Sequence, residues 1–161
     1  MQHYSEMEER QFQIRRAGRD DLSSLLDLYR HLNPADDRTP LDRAVTILDE
    51  LMSYKGSAVF VGEIDGVPVS SCTLIVVPNL TREGRSYGLI ENVVTHCDFR
   101  QRGFGTLVLH AASQAAWDAD CYKIMLMTGS TRRETHGFYL GAGFEQSKIG
   151  FQKRRIAARS E

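Results

Sequence analysis

Between Leu89 and Leu107 a run of strand formers passes through Arg100-Gln101-Arg102-Gly103-Phe104-Gly105 into a helical pattern, and this transition constrains the fold most. Tyr87 to Thr95 is rich in β-branched residues and free of proline, which reads as a strand. After the turn, Leu107, Val108, Ala111, Ala112 and Ala115 fall on one helical face, small enough to lie close on a sheet. A strand joined to such a helix by a tight turn requires a layered α/β domain. The turn also has chemistry. Gly103 and Gly105 leave room for a close approach, the helix start adds partial positive charge, and the turn's N–H groups converge, so a pyrophosphate is held there without a metal. Arg100 and Arg102 add cationic reach. Two glycines at such a junction also serve a tight connection that binds nothing. No G-K-[ST] follows and position 108 is Val, which excludes a Walker loop and the G-x-G-x-x-G dinucleotide fingerprint.

The rest of the chain supplies the other layers. Phe12 to Ala17 alternates as a first strand, and Leu22, Leu25, Leu26, Tyr29 and Leu32 recur at helical spacing behind Asp20 and Asp21, with Asn33-Pro34 as the stop. Leu41, Val45, Leu48, Leu51 and Met52 mark a second amphipathic helix ending before Gly56. Ser57 to Ile64 and Val67 to Val77 flank Asp65-Gly66, a hairpin signal. Lys123 to Thr128 reads as a strand, Arg133 to Leu140 as a short helix, and Phe144 to Ile156 as two short strands or a bent one. The expected order is β-α-α-β-β-β-α-β-α-β, a mixed α/β fold with a mostly antiparallel sheet. With 161 residues and no repeat or linker, one domain is expected over 12–156, with a loose leader at 1–11 and a short tail at 157–161.

Charge and cysteine usage narrow the partners. Twenty Lys+Arg against 21 Asp+Glu give a net charge of -1, with no global basic field for nucleic acid or an anionic membrane. The longest apolar run, Cys72 to Val77, ends at Pro78, far short of the roughly 20 residues that cross a bilayer. Met1 to Arg10 lacks the apolar core of a secretory signal, so the expected compartment is the cytoplasm. Cys72, Cys97 and Cys121 are odd in number and widely spaced with no C-x-x-C, which suits reduced thiols rather than disulfides or a zinc site, and no metal is expected.

Arg100, Gly103 and Gly105 fill the pattern [QR]-x-x-G-x-[GA], and here the chain resembles the GNAT superfamily of N-acetyltransferases. Ile90-Glu91-Asn92-Val93-Val94-Thr95 is similar to that family's cofactor strand, and Gly137-Phe138-Tyr139-Leu140-Gly141-Ala142-Gly143-Phe144 to its "FY-x-x-x-GF" segment. The resemblance implies acetyl-CoA as co-substrate and a sheet splayed between the strand at Glu91 to Thr95 and the strand at Lys123 to Thr128. The backbone of Val93, Val94 and Thr95 would pair with pantetheine, and N–H groups from Gln101, Arg102, Gly103, Phe104, Gly105 and Thr106 would take the pyrophosphate. Closer likenesses diverge on the acceptor. Ile90-Glu91-Asn92 and Cys121-Tyr122-Lys123-Ile124 resemble glucosamine-6-phosphate N-acetyltransferase, whereas Thr135 to Leu140 and Phe144 to Ser147 are similar to aminoalkylphosphonate N-acetyltransferases. Arg132 stands where the family often has Asn, and Asn92 where the amino-sugar enzymes carry Asp.

A small-molecule amine, an amino sugar or aminophosphonate, is the expected acceptor. At neutral pH a lysine-like amine is almost wholly protonated, so a base or water relay is useful, and Glu91 on the cofactor strand is the candidate. The competing reading gives Glu91 only a charge contact. Tyr139 is the candidate acid for the departing thiolate, against a core tyrosine bonded to backbone. His136 stays outside the catalytic set. The mechanistic rival, acetylation of Cys97, lacks an evident histidine partner. A peptide acetyltransferase and a non-catalytic acyl-CoA-binding regulatory domain are the alternative functions, and a homodimer is left open.

Overall fold

In the computed structural model, which describes residues 12–158, five strands form one sheet in chain order: β1 (Phe12–Arg16), β2 (Ala58–Ile64), β3 (Val67–Val77), β4 (Tyr87–Thr95) and β5 (Ile124–Leu126). Neighbours from β1 to β4 run antiparallel, and β5 joins β4 in parallel. The helices are α1 (Leu22–Leu28), α2 (Leu41–Ser53), α3 (Phe104–Asp118) and α4 (Arg133–Gly141). The chain divides into two compact units, Met1–Leu126 with the sheet and the first three helices, and Met127–Glu161 with α4. The expected leader at 1–11 and most of the tail at 157–161 lie outside the described residues. Among the described residues no helix is long and apolar enough to cross a membrane.

The mixed α/β class is as the sequence predicts, and the hairpin shows why. Asp65 and Gly66 both take positive φ, 51° and 79°, as a two-residue I′ turn demands. Strand alternation then sends two sets of side chains to opposite faces. Val59, Val61 and Val94 pack with Leu22, Leu25, Leu28, Ala44 and Leu48 under α1 and α2. The other face meets α3. A Cβ built on Gly88 would stand 2.8 Å from Ile124 Cγ2 and 3.6 Å from Ala116 Cβ of α3, so only hydrogen fits.

Two expectations are corrected. The buried stripe of α3 is Gly105, Val108, Leu109, Ala112 and Ala116, rotated from the expected face; Leu107 is 44% exposed. Phe104 sets this rotation by stacking on Phe12 of β1, ring centroids 4.3 Å apart. Phe144 to Ile156 forms no strand among the described residues, and Ile149, Phe151 and Ile156 are 87%, 93% and 81% exposed. Scattered apolar side chains, interrupted by Gly150 and followed by Lys153-Arg154-Arg155, bury too little surface to offset the cost of ordering that stretch.

Asp21 locks β1 to the start of α1. Arg15 donates to both its carboxylate oxygens at 2.7 Å, and the Gly18 N–H donates at 2.7 Å. The Arg15 hydrogen bond holds the Asp21 pKa below the usual carboxylate range, although burial pulls the other way. A depressed folded pKa gives stability that is full above the unfolded value of about 3.9 and lost as pH falls through the folded one. Asp21→Asn is therefore expected to cost about 1.5–3 kcal/mol in urea unfolding at pH 7. The gap to wild type should narrow below about pH 4; a gap independent of pH would assign the loss to packing.

Candidate active site

The end of β4 departs from a regular strand. Thr73 pairs with Glu91 and Ser71 with Val94, so two steps along β3 face three along β4. The extra residue is accommodated at Asn92, which takes φ 53°, a left-handed conformation that asparagine tolerates better than most residues. The bulge reverses the alternation. Ile90 lies opposite Leu74, on the α3 side, yet Val94 is in the core under α1 and α2. The parallel ladder with β5 ends at Ile90↔Leu126, while β4 runs on to Thr95. Val93, Val94 and Thr95 thus occupy a strand end held by β3: the Ser70 hydroxyl donates to the Val94 carbonyl at 3.2 Å and lies 2.9 Å from Thr95 Oγ1.

Glu91 is exposed on the face of the sheet opposite Ile90, and among the described residues no hydrogen bond or ion pair engages its side chain. Its register partner Thr73 is 5% exposed. Behind it the Tyr29 phenol lies near the hydroxyls of Thr73 and Ser71, and burial pushes its pKa up, so the phenol stays neutral. Sequence reasoning placed Tyr29 only on an apolar helix face; two hydroxyl residues at i and i+2 in β3 were the available signal that the apolar face held a polar end.

The turn after β4 is built by backbone more than by charge. Arg100 donates from Nε to the Thr95 carbonyl at 3.1 Å and from Nη2 to the His31 carbonyl at 3.3 Å, so its guanidinium ties the strand end to the segment after α1. Gln101 and Gly103 are left-handed, with φ 62° and 83°. Arg102 sits over the Phe99 ring, 5.4 Å from its centroid. Gly103 is the N-cap of α3, and no side chain caps the helix there. The first helical bond of the helix runs from Leu107 N–H to the Gly103 carbonyl, 3.1 Å, so the N–H groups of Phe104, Gly105 and Thr106 precede it. No atom lies within 4 Å of where a Gly103 Cβ would stand. This open, uncapped helix start fits an anion of phosphate type. The Phe104 side chain is buried, which leaves only its backbone for a ligand.

Tyr139 and His136 belong to the second unit. Tyr139 is three positions before the C-cap of α4, Ala142, and the helix closes on itself through Phe144 N–H to the Tyr139 carbonyl, 3.1 Å, and Gly143 N–H to the Leu140 carbonyl, 3.0 Å. Gly143 takes the φ of 92° that this stop requires. The Phe144 ring packs edge-on to Tyr139, centroids 6.4 Å apart, and the tilted Phe138 ring lies 5.0 Å from it. The "FY-x-x-x-GF" spacing is thus the spacing of a helix stop. His136 Nε2 lies 2.7 Å from the Ser130 carbonyl, a satisfied structural histidine.

The sequence model of the "Acetyltransferase (GNAT) family" matches residues 22–144. Glucosamine 6-phosphate N-acetyltransferase of Trypanosoma brucei brucei is 30% identical over 124 residues, 77% of this chain and 82% of that protein. A solved "Putative acetyltransferase from Agrobacterium tumefaciens str. C58" superposes with a TM-score of 0.84 at 43% identity, covering 89% of this chain and 99% of that one. Glucosamine-6-phosphate N-acetyltransferase from Arabidopsis thaliana shares the fold, with a TM-score of 0.81 at 21% identity over 90% of this chain and 99% of that one. A bulged strand leading through a left-handed glycine into an uncapped helix, and a family match spanning both that turn and the helix stop at Gly143, lead to one conclusion: the chain is an acetyltransferase of the GNAT family.

Proposed function

We propose that the protein transfers the acetyl group of acetyl-CoA to a primary amine of a small molecule, an amino sugar or an aminophosphonate, by direct attack in a ternary complex. The observation that carries the reading is the start of α3 at Gly103, an anion cradle beside a strand end that has outrun its β5 partner. N–H groups from Gln101 to Thr106 hold the pyrophosphate, and backbone groups of Val93 to Thr95 pair with the pantetheine amides. Acetyl-CoA supplies a thioester carbonyl; the amine nitrogen forms a bond to its carbon and the carbon–sulfur bond breaks. The Val94 N–H polarises the carbonyl. Glu91 removes the proton the amine must lose, or one from a relay water, and Tyr139 donates its phenolic proton to the departing sulfur. The likeness to a trypanosomal glucosamine 6-phosphate N-acetyltransferase supports an amino-sugar acceptor. Asn92, where the resemblance leads one to expect Asp in amino-sugar enzymes, counts against that acceptor, and the likeness of Thr135 to Leu140 and Phe144 to Ser147 to aminoalkylphosphonate enzymes keeps the second acceptor in the reading. Three free thiols suit a reducing, cytoplasmic setting.

A thiol-release screen with acetyl-CoA against amino sugars, aminophosphonates, polyamines, aminoglycosides and peptides tests the reading. Turnover confined to peptides, or CoA binding with no turnover on any amine, would overturn it. Glu91→Gln separates the two roles of that carboxylate. As a base, its loss is expected to lower kcat about 10² fold, with recovery as rising pH deprotonates the amine unaided. As an ammonium ligand, it would mainly raise the acceptor KM. If neither constant moves more than about twofold, the proton leaves through water alone.

A further inference from the structure

Beside the turn, on the side of the Tyr29–His31 segment, three side chains converge that the acetyl-transfer chemistry does not use. One ring nitrogen each from His31 and His96 and the Sγ of Cys97 lie within 4.8 Å of one another. We propose that His31, His96 and Cys97 form a binding site for a soft divalent cation of the zinc class, with Asp98 or a water as the fourth ligand.

Two imidazoles and a thiolate are the donor types that zinc and cobalt select, and tetrahedral bonds of about 2.0–2.3 Å bring such donors to within roughly 3.5 Å of one another. The Cys97 sulfur is 4.0 Å from His96 Nδ1, so closure asks for movements of the order of 1 Å at exposed or half-buried side chains. The two rings are already side by side, although their nitrogens are engaged by backbone donors. The rings of His31 and His96 lie 4.0 Å apart, centroid to centroid. The Cys97 N–H donates to His31 Nδ1 at 3.5 Å and the Asp98 N–H to His96 Nδ1 at 3.1 Å. Each Nδ1 has a single lone pair, so an ion that binds either ring must displace the backbone N–H it accepts or take Nε2 with the proton moved to Nδ1. Asp98 faces both partners: Oδ1 is 3.6 Å from Cys97 Sγ and Oδ2 3.9 Å from His96 Nδ1. From there its carboxylate either orients the imidazole or completes the coordination. A thiolate and the Asp98 carboxylate balance the ion's two charges, leaving the Arg100 guanidinium on the carbonyls of Thr95 and His31. The odd, widely spaced cysteines concealed the site, because two of its ligands are neighbours in the chain and the third comes from the end of the first helical segment.

Tag-free protein titrated with Zn²⁺ by calorimetry should bind one ion per chain with a micromolar or tighter Kd. Cobalt should give a thiolate charge-transfer band in the near ultraviolet. Cys97 is exposed and outside the core, so Cys97→Ser should fold normally, lose the band and weaken zinc at least tenfold; His31→Gln should weaken zinc similarly. At a hundredfold excess over Kd, zinc should raise the wild-type Tm by roughly 5–10 °C. A cobalt band that survives in Cys97→Ser, or zinc binding no stronger in wild type than in the protein lacking all three side chains, would overturn the assignment.

Discussion

Replacing Gly103 with valine is expected to lower acetyl-CoA affinity at least about a hundredfold while leaving the sheet folded. Gly103 holds φ 83° and ψ 0° at the N-cap of α3, where an L-residue pays about 1–2 kcal/mol and a β-branched one more. Its Cβ would meet no protein atom within 4 Å, so packing does not forbid the side chain. What suffers is the shape of the turn and the space in which phosphate must approach the N–H groups of the helix start. The strain alone should lower Tm by roughly 2–8 °C. Gly103→Asn divides the two effects, since asparagine tolerates the left-handed conformation but still fills the phosphate's space. Calorimetry on both folded variants is the measurement. Loss of affinity in both assigns the cradle to Gly103; unchanged affinity in both removes the cofactor assignment from this turn.

The features legible in the sequence were those whose signal is local. Asp65-Gly66 specifies a turn by its own backbone preferences, and Tyr87 to Thr95 ends as a strand where the chain must turn through His96 and Arg100. The glycine-bearing turn was legible for the same reason: a positive φ at residue 103 favours glycine, and the helix begins at the next residue. What stayed hidden depends on contacts between distant segments. A one-residue bulge at Asn92 leaves composition and hydropathy untouched, yet it decides that Val94 and Ile90 point to opposite sides. The rotation of α3 follows from Phe104 meeting Phe12, residues whose stacking no periodicity reveals. Arg100 read as a phosphate ligand because arginine is the usual choice for that task; the structure has it on two carbonyls, one of them on His31. The "FY-x-x-x-GF" segment carried two messages, and the one written in backbone terms, a helix stop at Gly143, is independent of any role for Tyr139 in catalysis.

Tyr139→Phe tests that second message. The substitution removes one hydroxyl and leaves the ring in contact with Phe138 and Phe144, so the stop of α4 and its aromatic contacts persist. Stability should change by about one hydrogen bond, on the order of 1 kcal/mol. If the phenol protonates the departing thiolate, its loss should lower kcat by ~10² to 10⁴. Acetyl-CoA affinity should barely move, because the proton is needed only as the carbon–sulfur bond breaks. Equal falls in kcat and kcat/KM, with an unchanged Kd for acetyl-CoA, would identify a contact made in the transition state alone. A thiolate is also a tolerable leaving group without a partner, with a thiol pKa near 8.5. A variant with near-normal kcat would show the sulfur departing as thiolate or taking its proton from water, and would leave Tyr139 as the ring on which Phe144 closes the helix.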